Sequence, residues 1–292
     1  MTGPVHYKRN SAVSETELDG EIFLVEPKTK EVFYPDLALR IQGYLDIFVR
    51  PTDFTRLVEL LFVAQGIFCH AAEIHPWGMK SDASFLPFVS SDGASHIDIH
   101  IRPASYPAHL PLSTELVLAD LRQVKSDGVE YRMPSDDHSL ILCVTNAAKG
   151  KFNISGVGKV IDAIMVLKSG CPLDWYRISG LARDGGFQLP LMVFFALLVG
   201  VDVAMGDPPR HPYEPLGGLR GMVLRQVIAN FRTYFPQELP MTIPLWPEIT
   251  ICAEPFVAVH NTGLRLKGLF WAMDGNSGIC SFDDMSSADR QF

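Results

Sequence analysis

The sequence predicts an α+β fold, with strands dominating the first half of the chain and helices the second. Apolar segments bounded by turn formers at 21–25 and 44–49, and an alternating segment at 96–101, are typical of strands. From Pro134 onward, segments with helical spacing follow one another. The composition agrees, because 47% hydrophobic and 20% charged residues can build a large core and exclude a disordered chain.

In the first half, segments 21–25 and 31–34 flank a turn at 27–30 and predict a hairpin. Tyr44–Val49 is predicted as a buried strand. Pro51-Thr52-Asp53 predicts a helix start with Thr52 or Asp53 as the cap, followed by leucines on one face. A second strand pair is expected around 116–124 and 129–133.

In the second half, helices are predicted at 138–149, 158–167, 173–183, 189–201 and 219–234. The tail is predicted as β-structure at 249–252, 256–260 and 264–273, with a turn at Asn261-Thr262-Gly263. The expected organisation is a flexible N-terminus (1–18), a sheet-containing domain (19–133), a helical domain (134–240) and a β-rich C-terminal extension (241–292).

Charge and cysteine usage narrow the function classes. The chain has 25 Lys+Arg against 33 Asp+Glu, a formal net charge of −8, which argues against an extended nucleic-acid surface. The five cysteines are scattered and read as reduced thiols. No export signal is visible, and the most apolar stretch, 189–201, is too short to span a bilayer. We expect a cytoplasmic protein with no membrane partner.

Two carboxylates interrupt apolar strands. Asp46 lies in Leu45-Asp46-Ile47 and Asp98 in Ile97-Asp98-Ile99, and a buried carboxylate is costly unless it is paired, bonded or bound to a metal. If the two strands are adjacent, the pair could hold a divalent cation through oxygen ligands. The alternative is that both are strand-end aspartates that reach water or accept backbone N–H bonds.

Two histidines share the face of Asp98. His96, Asp98 and His100 alternate along one strand, so the three side chains point the same way. Imidazole with carboxylate is a natural transition-metal set and a less natural one for magnesium. The alternative is that the histidines orient Asp98 or lie at the surface.

A series of motifs resembles the uncharacterised bacterial nucleotidyltransferase family over about residues 20–210. The motifs are Tyr34-Pro35-Asp36 through Gly43-Tyr44-Leu45-Asp46 to Val49-Arg50-Pro51, His96-Ile97-Asp98-Ile99-His100, Pro134-Ser135-Asp136-Asp137-His138, Asn146-Ala147-Ala148-Lys149, Val160-Ile161-Asp162-Ala163 and Leu173-Asp174-Trp175. Their order and spacing carry the resemblance, more than any single motif.

The resemblance implies a nucleotidyltransferase-like palm, a mixed β-sheet flanked by helices, followed by a helical half. It implies catalysis with Mg²⁺ (or Mn²⁺), which bridges a nucleoside triphosphate while a small-molecule or peptide acceptor attacks the α-phosphorus. Asp46 and Asp98 then correspond to the second and third metal-binding, catalytic carboxylates. Candidate substrate-binding residues on the same template are Arg40, Gly43, Tyr44, His100, Lys149 and Asp162.

The sequence departs from this family pattern at two places. Tyr44 stands where the first acid is expected, and Val25-Glu26-Pro27 replaces a glycine-containing phosphate turn. Both changes weaken metal and triphosphate binding. The alternative function is therefore a catalytically degenerate fold that binds a ligand or peptide in a biosynthetic pathway.

Three of the substrate-binding candidates have alternative interpretations. Arg40 could instead pair with Asp36 one turn earlier, Lys149 could be a solvated helix-face residue, and Asp162 a helix-surface acid.

Overall fold

The computed structural model describes residues 23–24, 45–65, 67–69, 88–90, 96–126, 129–150, 152, 154–202, 212–213, 216–229 and 248–273. These residues form a five-stranded sheet, a two-stranded hairpin and a set of packed helices. The predicted α+β class with a mixed sheet is confirmed.

The main sheet places two parallel strands side by side in its interior. Its strands are β1 (Phe23–Leu24), β2 (Leu45–Phe48), β3 (Ile67–Cys69), β4 (Phe88–Ser90) and β5 (His96–His100), in the spatial order β1-β2-β5-β4-β3. The β2–β5 pair is parallel, and the other three pairs are antiparallel. Since a strand presents alternate residues to opposite faces, β2 and β5 each have one apolar face and one face that carries a carboxylate.

The apolar face of these strands packs against helix α1 (Phe54–Gln65). The buried side chains of this small core are Ile47, Val49, Phe54, Leu57, Phe88, Ile97 and Ile99. On the opposite face, Phe48 is 1% exposed and belongs to the main hydrophobic core, which the helices of the second half supply. The carboxylate-bearing face of the sheet is therefore the one that faces the helical half.

Two predictions around these strands are corrected or limited. A 3-10 turn (Pro51–Asp53) precedes α1, its N-cap is Arg50, and no side chain caps this turn, so the helical segment begins before the predicted Thr52 or Asp53 cap. The reason is that Pro51 occupies the first helical position, which makes Arg50 the N-cap, and an arginine side chain has no acceptor for a cap bond. The first strand of the predicted hairpin is β1, which pairs with β2 through Phe23 and Phe48. The second predicted strand, residues 31–34, lies outside the described residues, so the hairpin itself stays a prediction.

The predicted second strand pair begins later than expected. Residues Thr114–Leu118 form a short helix, α2, because the Ser113 hydroxyl accepts a hydrogen bond from the Leu116 N–H at 3.1 Å and caps its first turn. The strand prediction is therefore wrong for 116–120, where the helix and a following turn stand. Strands β6 (Leu121–Ser126) and β7 (Val129–Pro134) then form the expected antiparallel hairpin.

The helical half follows the prediction closely. Its helices are α3 (Asp136–Lys149), α4 (Ile154–Lys168), α5 (Trp175–Asp184), α6 (Gln188–Asp202) and α7 (Gly218–Ala229). Helix α6 is apolar all round and lies in the centre of the main core, where Leu191, Phe194 and Phe195 are fully buried.

The predicted β-structure of the tail is wrong over 248–273. Residues Glu248–Cys252 form a π-helical turn, and Pro255–Met273 form one helix, α8. The expected turn at Asn261-Thr262-Gly263 continues the helix, with the Thr262 hydroxyl donating to the Ala258 carbonyl at 2.7 Å. Tertiary contacts decide this, because Val257 and Ala258 are buried and Glu254 accepts a hydrogen bond from the Leu189 N–H at the start of α6.

Among the described helices, none combines the length and the apolar character needed to cross a bilayer.

Candidate metal centre

The site begins with the register of the two parallel strands. Asp46 of β2 is paired with Asp98 of β5, and Phe48 with His100. Because residues two apart on a strand point to the same face, Asp46, Asp98 and His100 all lie on the face that carries Phe48. Both carboxylates and the imidazole are thus presented together by hydrogen-bonded backbone.

The three side chains converge. One ligand atom from each of Asp46, Asp98 and His100 lies within 4.8 Å of the others. His100 Nε2 is 3.5 Å from Asp46 Oδ1. Asp46 is only 8% exposed, so its carboxylate has lost most of its hydration. Such a group needs a compensating proton, hydrogen bond or cation.

The group fits a divalent cation. Two carboxylates and an imidazole are accepted ligands of such ions, and an ion between them would neutralise two negative charges held close together. His100 contributes to this fit through Nε2, a nitrogen that can ligate such an ion and that lies 3.5 Å from Asp46 Oδ1. Its other ring nitrogen, Nδ1, is buried and has no hydrogen-bond partner within the described ranges.

The hypothesis that Asp46 and Asp98 form one cation site required their strands to be adjacent, and the structure brings the two residues together. His100 joins them, as expected. His96 occupies the first residue of β5, and its side chain is not described. Arg40, Gly43 and Tyr44 lie outside the described residues, so their proposed contacts with substrate stay predictions.

Lys149 and Asp162 are placed in the helical half. Lys149 is exposed in the last turn of α3. Asp162 is 3% exposed in α4, which excludes its alternative interpretation as a surface acid. Burial lowers the pKa of Lys159, one turn before it, while the charge of Asp162 acts to raise it. Within the described chain neither Lys149 nor Asp162 is part of the metal-compatible group, and their binding roles stay predictions.

The structure also contains a polar cluster that the sequence did not predict. It joins the start of β6, the first turn of α3 and the first turn of α5 through Asp120, His138 and Arg177. Arg177 Nη1 donates to Asp120 Oδ2 at 2.6 Å, and Arg177 Nη2 lies 2.9 Å from His138 Nε2. We call these three residues the Arg177 cluster.

Burial and the charge of Arg177 together keep His138 neutral. A guanidinium can only donate, so His138 Nε2 must accept and the imidazole must be neutral, with its proton on Nδ1. Burial, followed by the Arg177 charge, lowers the pKa of His138 to about 4, although Asp120 acts in the opposite direction. His138 is completely buried.

Burial and the Arg177 guanidinium also act on the pKa values of two neighbouring carboxyl groups. Burial raises the pKa of Asp120, but hydrogen bonds from Arg177 and Ser135 outweigh it and hold this pKa below its usual value. Burial raises the pKa of Asp137, which accepts a hydrogen bond from the Asp174 N–H at 3.0 Å. The signal available in the sequence was a histidine directly after Asp136-Asp137, at the point where an apolar helix begins.

Comparison with known proteins identifies one family. Residues 27–199, more than half of the chain, match the family model described as uncharacterised nucleotidyltransferase. No curated protein and no solved structure matches the chain.

Proposed function

Because the chain belongs to the uncharacterised nucleotidyltransferase family, we propose that it transfers a nucleotidyl group from a nucleoside triphosphate to a small-molecule or peptide acceptor. The observation that carries this proposal is the convergence of Asp46 and Asp98 from adjacent parallel strands, with His100 beside them. The family supports a nucleotide substrate. The cation and the acceptor class belong to the proposal.

The two carboxylates of the site share one task in the proposed reaction. Asp46 and Asp98 hold a divalent cation, Mg²⁺ or Mn²⁺, at the sheet face. The bound cation supplies the positive charge that the triphosphate and the departing pyrophosphate need. The hydrogen-bonded register of β2 and β5 places the backbone of the two carboxylates side by side, and a site arranged in advance needs less reorganisation when the nucleotide binds.

A second candidate function is a ligand- or peptide-binding module built on the same fold. It is favoured by Tyr44, which stands where the family pattern has an acid, and by Val25-Glu26-Pro27, which lacks the expected glycine. In this case the protein binds its ligand without phosphoryl chemistry. The two functions differ in one product, pyrophosphate.

The test combines thermal unfolding with a product assay. The wild-type protein, Asp46→Asn and Asp98→Asn are unfolded with each of four nucleoside triphosphates, with Mg²⁺ or Mn²⁺ present or absent. Asp184→Asn is the matched control, because Asp184 is an acid on the surface at the end of α5, with its side chain 61% exposed. Pyrophosphate release is then measured with pooled small-molecule and peptide acceptors.

We expect a metal-dependent stabilisation by at least one nucleotide, since a ligand at about 100 times its Kd adds about 2.7 kcal/mol to the native state. This stabilisation should disappear in both site variants and persist in Asp184→Asn. Pyrophosphate release that depends on both carboxylates supports transfer. Stabilisation without pyrophosphate would favour the binding module, and no stabilisation by any metal–nucleotide pair would contradict nucleotide binding.

A further inference from the structure

The strongest unexplained feature of the site is the imidazole of His100. It lies beside two carboxylates, yet its contact with Asp46 measures 3.5 Å. A hydrogen bond from an imidazolium to a carboxylate is shorter, about 2.7–2.9 Å. The other ring nitrogen, Nδ1, is buried without a hydrogen-bond partner in the described part of the chain. Orienting Asp46 is therefore a poor explanation for this side chain.

The spacing suits atoms that share an ion. Two atoms that each bond a common cation at about 2.1 Å lie roughly 3.0–3.5 Å apart when the bonds enclose an angle of about 90–110°. The 3.5 Å between His100 Nε2 and Asp46 Oδ1 falls at the end of this range. One ligand atom of Asp98 lies within 4.8 Å of a ligand atom of each of these two residues.

We propose that His100 is the third protein ligand of the cation and that it makes the site prefer first-row transition-metal dications over Mg²⁺. This inference rests on the cation site of the proposed function. Mg²⁺ is a hard ion that takes oxygen ligands, and an imidazole adds little to its binding. Transition-metal dications bind imidazole nitrogen well, so the same residue strengthens their binding.

The charge of the site leads to the same conclusion. Two carboxylates and a neutral imidazole carry a charge of about −2, which one dication neutralises. A third carboxylate in place of the imidazole would attract Mg²⁺ more strongly. It would, however, add a further negative charge beside Asp46, which is buried with only 8% of its surface exposed. With imidazole as the third ligand, selectivity comes from the nitrogen and not from additional charge.

Direct metal binding without nucleotide tests this inference. Co²⁺ is the probe, because its visible absorption reports its ligands, and Mg²⁺ is titrated as the competitor. The proteins are wild type, His100→Asn, which weakens the third ligand, and His100→Asp, which converts the set to three carboxylates. His260→Gln is the matched control, since His260 is exposed on α8 and lies outside the metal-compatible group. Far-ultraviolet circular dichroism and the urea midpoint establish folding.

We expect His100→Asn to weaken Co²⁺ binding about tenfold or more and Mg²⁺ binding less than threefold. His100→Asp should lower the ratio of Co²⁺ to Mg²⁺ affinity by about tenfold or more and change the absorption band. His260→Gln should leave both affinities unchanged. Carboxylates alone also bind Co²⁺ better than Mg²⁺. The test of the inference is therefore the change in the ratio of the two affinities between wild type and variants, and not the preference of the wild type itself.

Several outcomes would overturn the inference. They are an unchanged Co²⁺ affinity in folded His100→Asn, an equal loss of both metals, and no Co²⁺ binding by the wild-type protein. The proposed function is judged separately, by nucleotide-linked stabilisation and pyrophosphate release. If Asp46→Asn lost both metals and His100→Asn had no effect, the cation site would be supported and only the inference that His100 is a ligand would be refuted.

Discussion

Lowering the pH from 7 to 5 should destabilise the protein by about 2 kcal/mol through His138 alone. His138 is fully buried and neutral, because the Arg177 guanidinium donates towards its Nε2. In the unfolded chain the same imidazole regains its ordinary pKa of 6.5, whereas the fold lowers it to about 4. Between these two values the unfolded state therefore binds a proton that the native state does not.

The sign and the size follow from this difference. Since the unfolded state takes up the proton, unfolding becomes more favourable as the pH falls, and the contribution is complete above pH 6.5 and lost towards pH 4. With one pKa unit equal to 1.36 kcal/mol, the difference of about 2.5 units is worth about 3 kcal/mol in full, of which about 2 kcal/mol is lost by pH 5. The raised pKa of Asp137 acts in the opposite direction, at the acidic end of the range.

The measurement is urea unfolding of wild type and His138→Gln at half-unit steps between pH 7.5 and 4.5. The variant has a different stability at every pH, so the quantity compared is the slope of unfolding free energy against pH. Between pH 7 and 5, we expect the wild-type protein to lose about 2 kcal/mol more of its free energy of unfolding than the variant loses. Equal slopes, or a wild-type protein that becomes relatively more stable at pH 5, would show that His138 is not held neutral.

The remaining predictions concern the Arg177 cluster and the main core. Arg177→Met should lower the free energy of unfolding by about 1–3 kcal/mol, because Asp120 and His138 lose their shared donor, and a loss below about 0.5 kcal/mol in urea unfolding would contradict the cluster's role. Phe195→Ala should cost about 3–5 kcal/mol, since this fully buried ring stacks on Tyr213 with centroids 5.0 Å apart. Tyr176→Ala, whose side chain is 92% exposed, is the control and should stay within about 0.5 kcal/mol of wild type.

The candidate site was largely predictable because its pattern is local. An aspartate in the middle of an apolar alternating segment identifies both the strand and the face on which the acid lies, as at Asp46 and Asp98. The position of His100 follows from the same period of two. The sequence left open whether the two strands are neighbours and in which register, because strand pairing depends on residues far apart in the chain. The observed pairing of Asp46 with Asp98 answers that question.

The Arg177 cluster was not predictable from local pattern. Asp120 and Arg177 are 57 residues apart, and each has an ordinary local interpretation, as a residue of a turn and as a residue in the first turn of a helix. Only the packing of β6, α3 and α5 brings them to His138. A buried histidine therefore looks like any other residue of an amphipathic helix until its neighbours are known.

The sequence by itself determined the α+β class, the helices of the second half and the alternating strands that carry the acids, because these depend on periodicity within about ten residues. The tertiary structure decided the state of the tail, where short apolar runs are compatible with strand or helix and burial of Val257 and Ala258 favours a helix. It also decided which polar groups meet, since the contacts that join Asp46 to Asp98 and Arg177 to Asp120 form between segments distant in the chain and cannot be inferred from the spacing within either one.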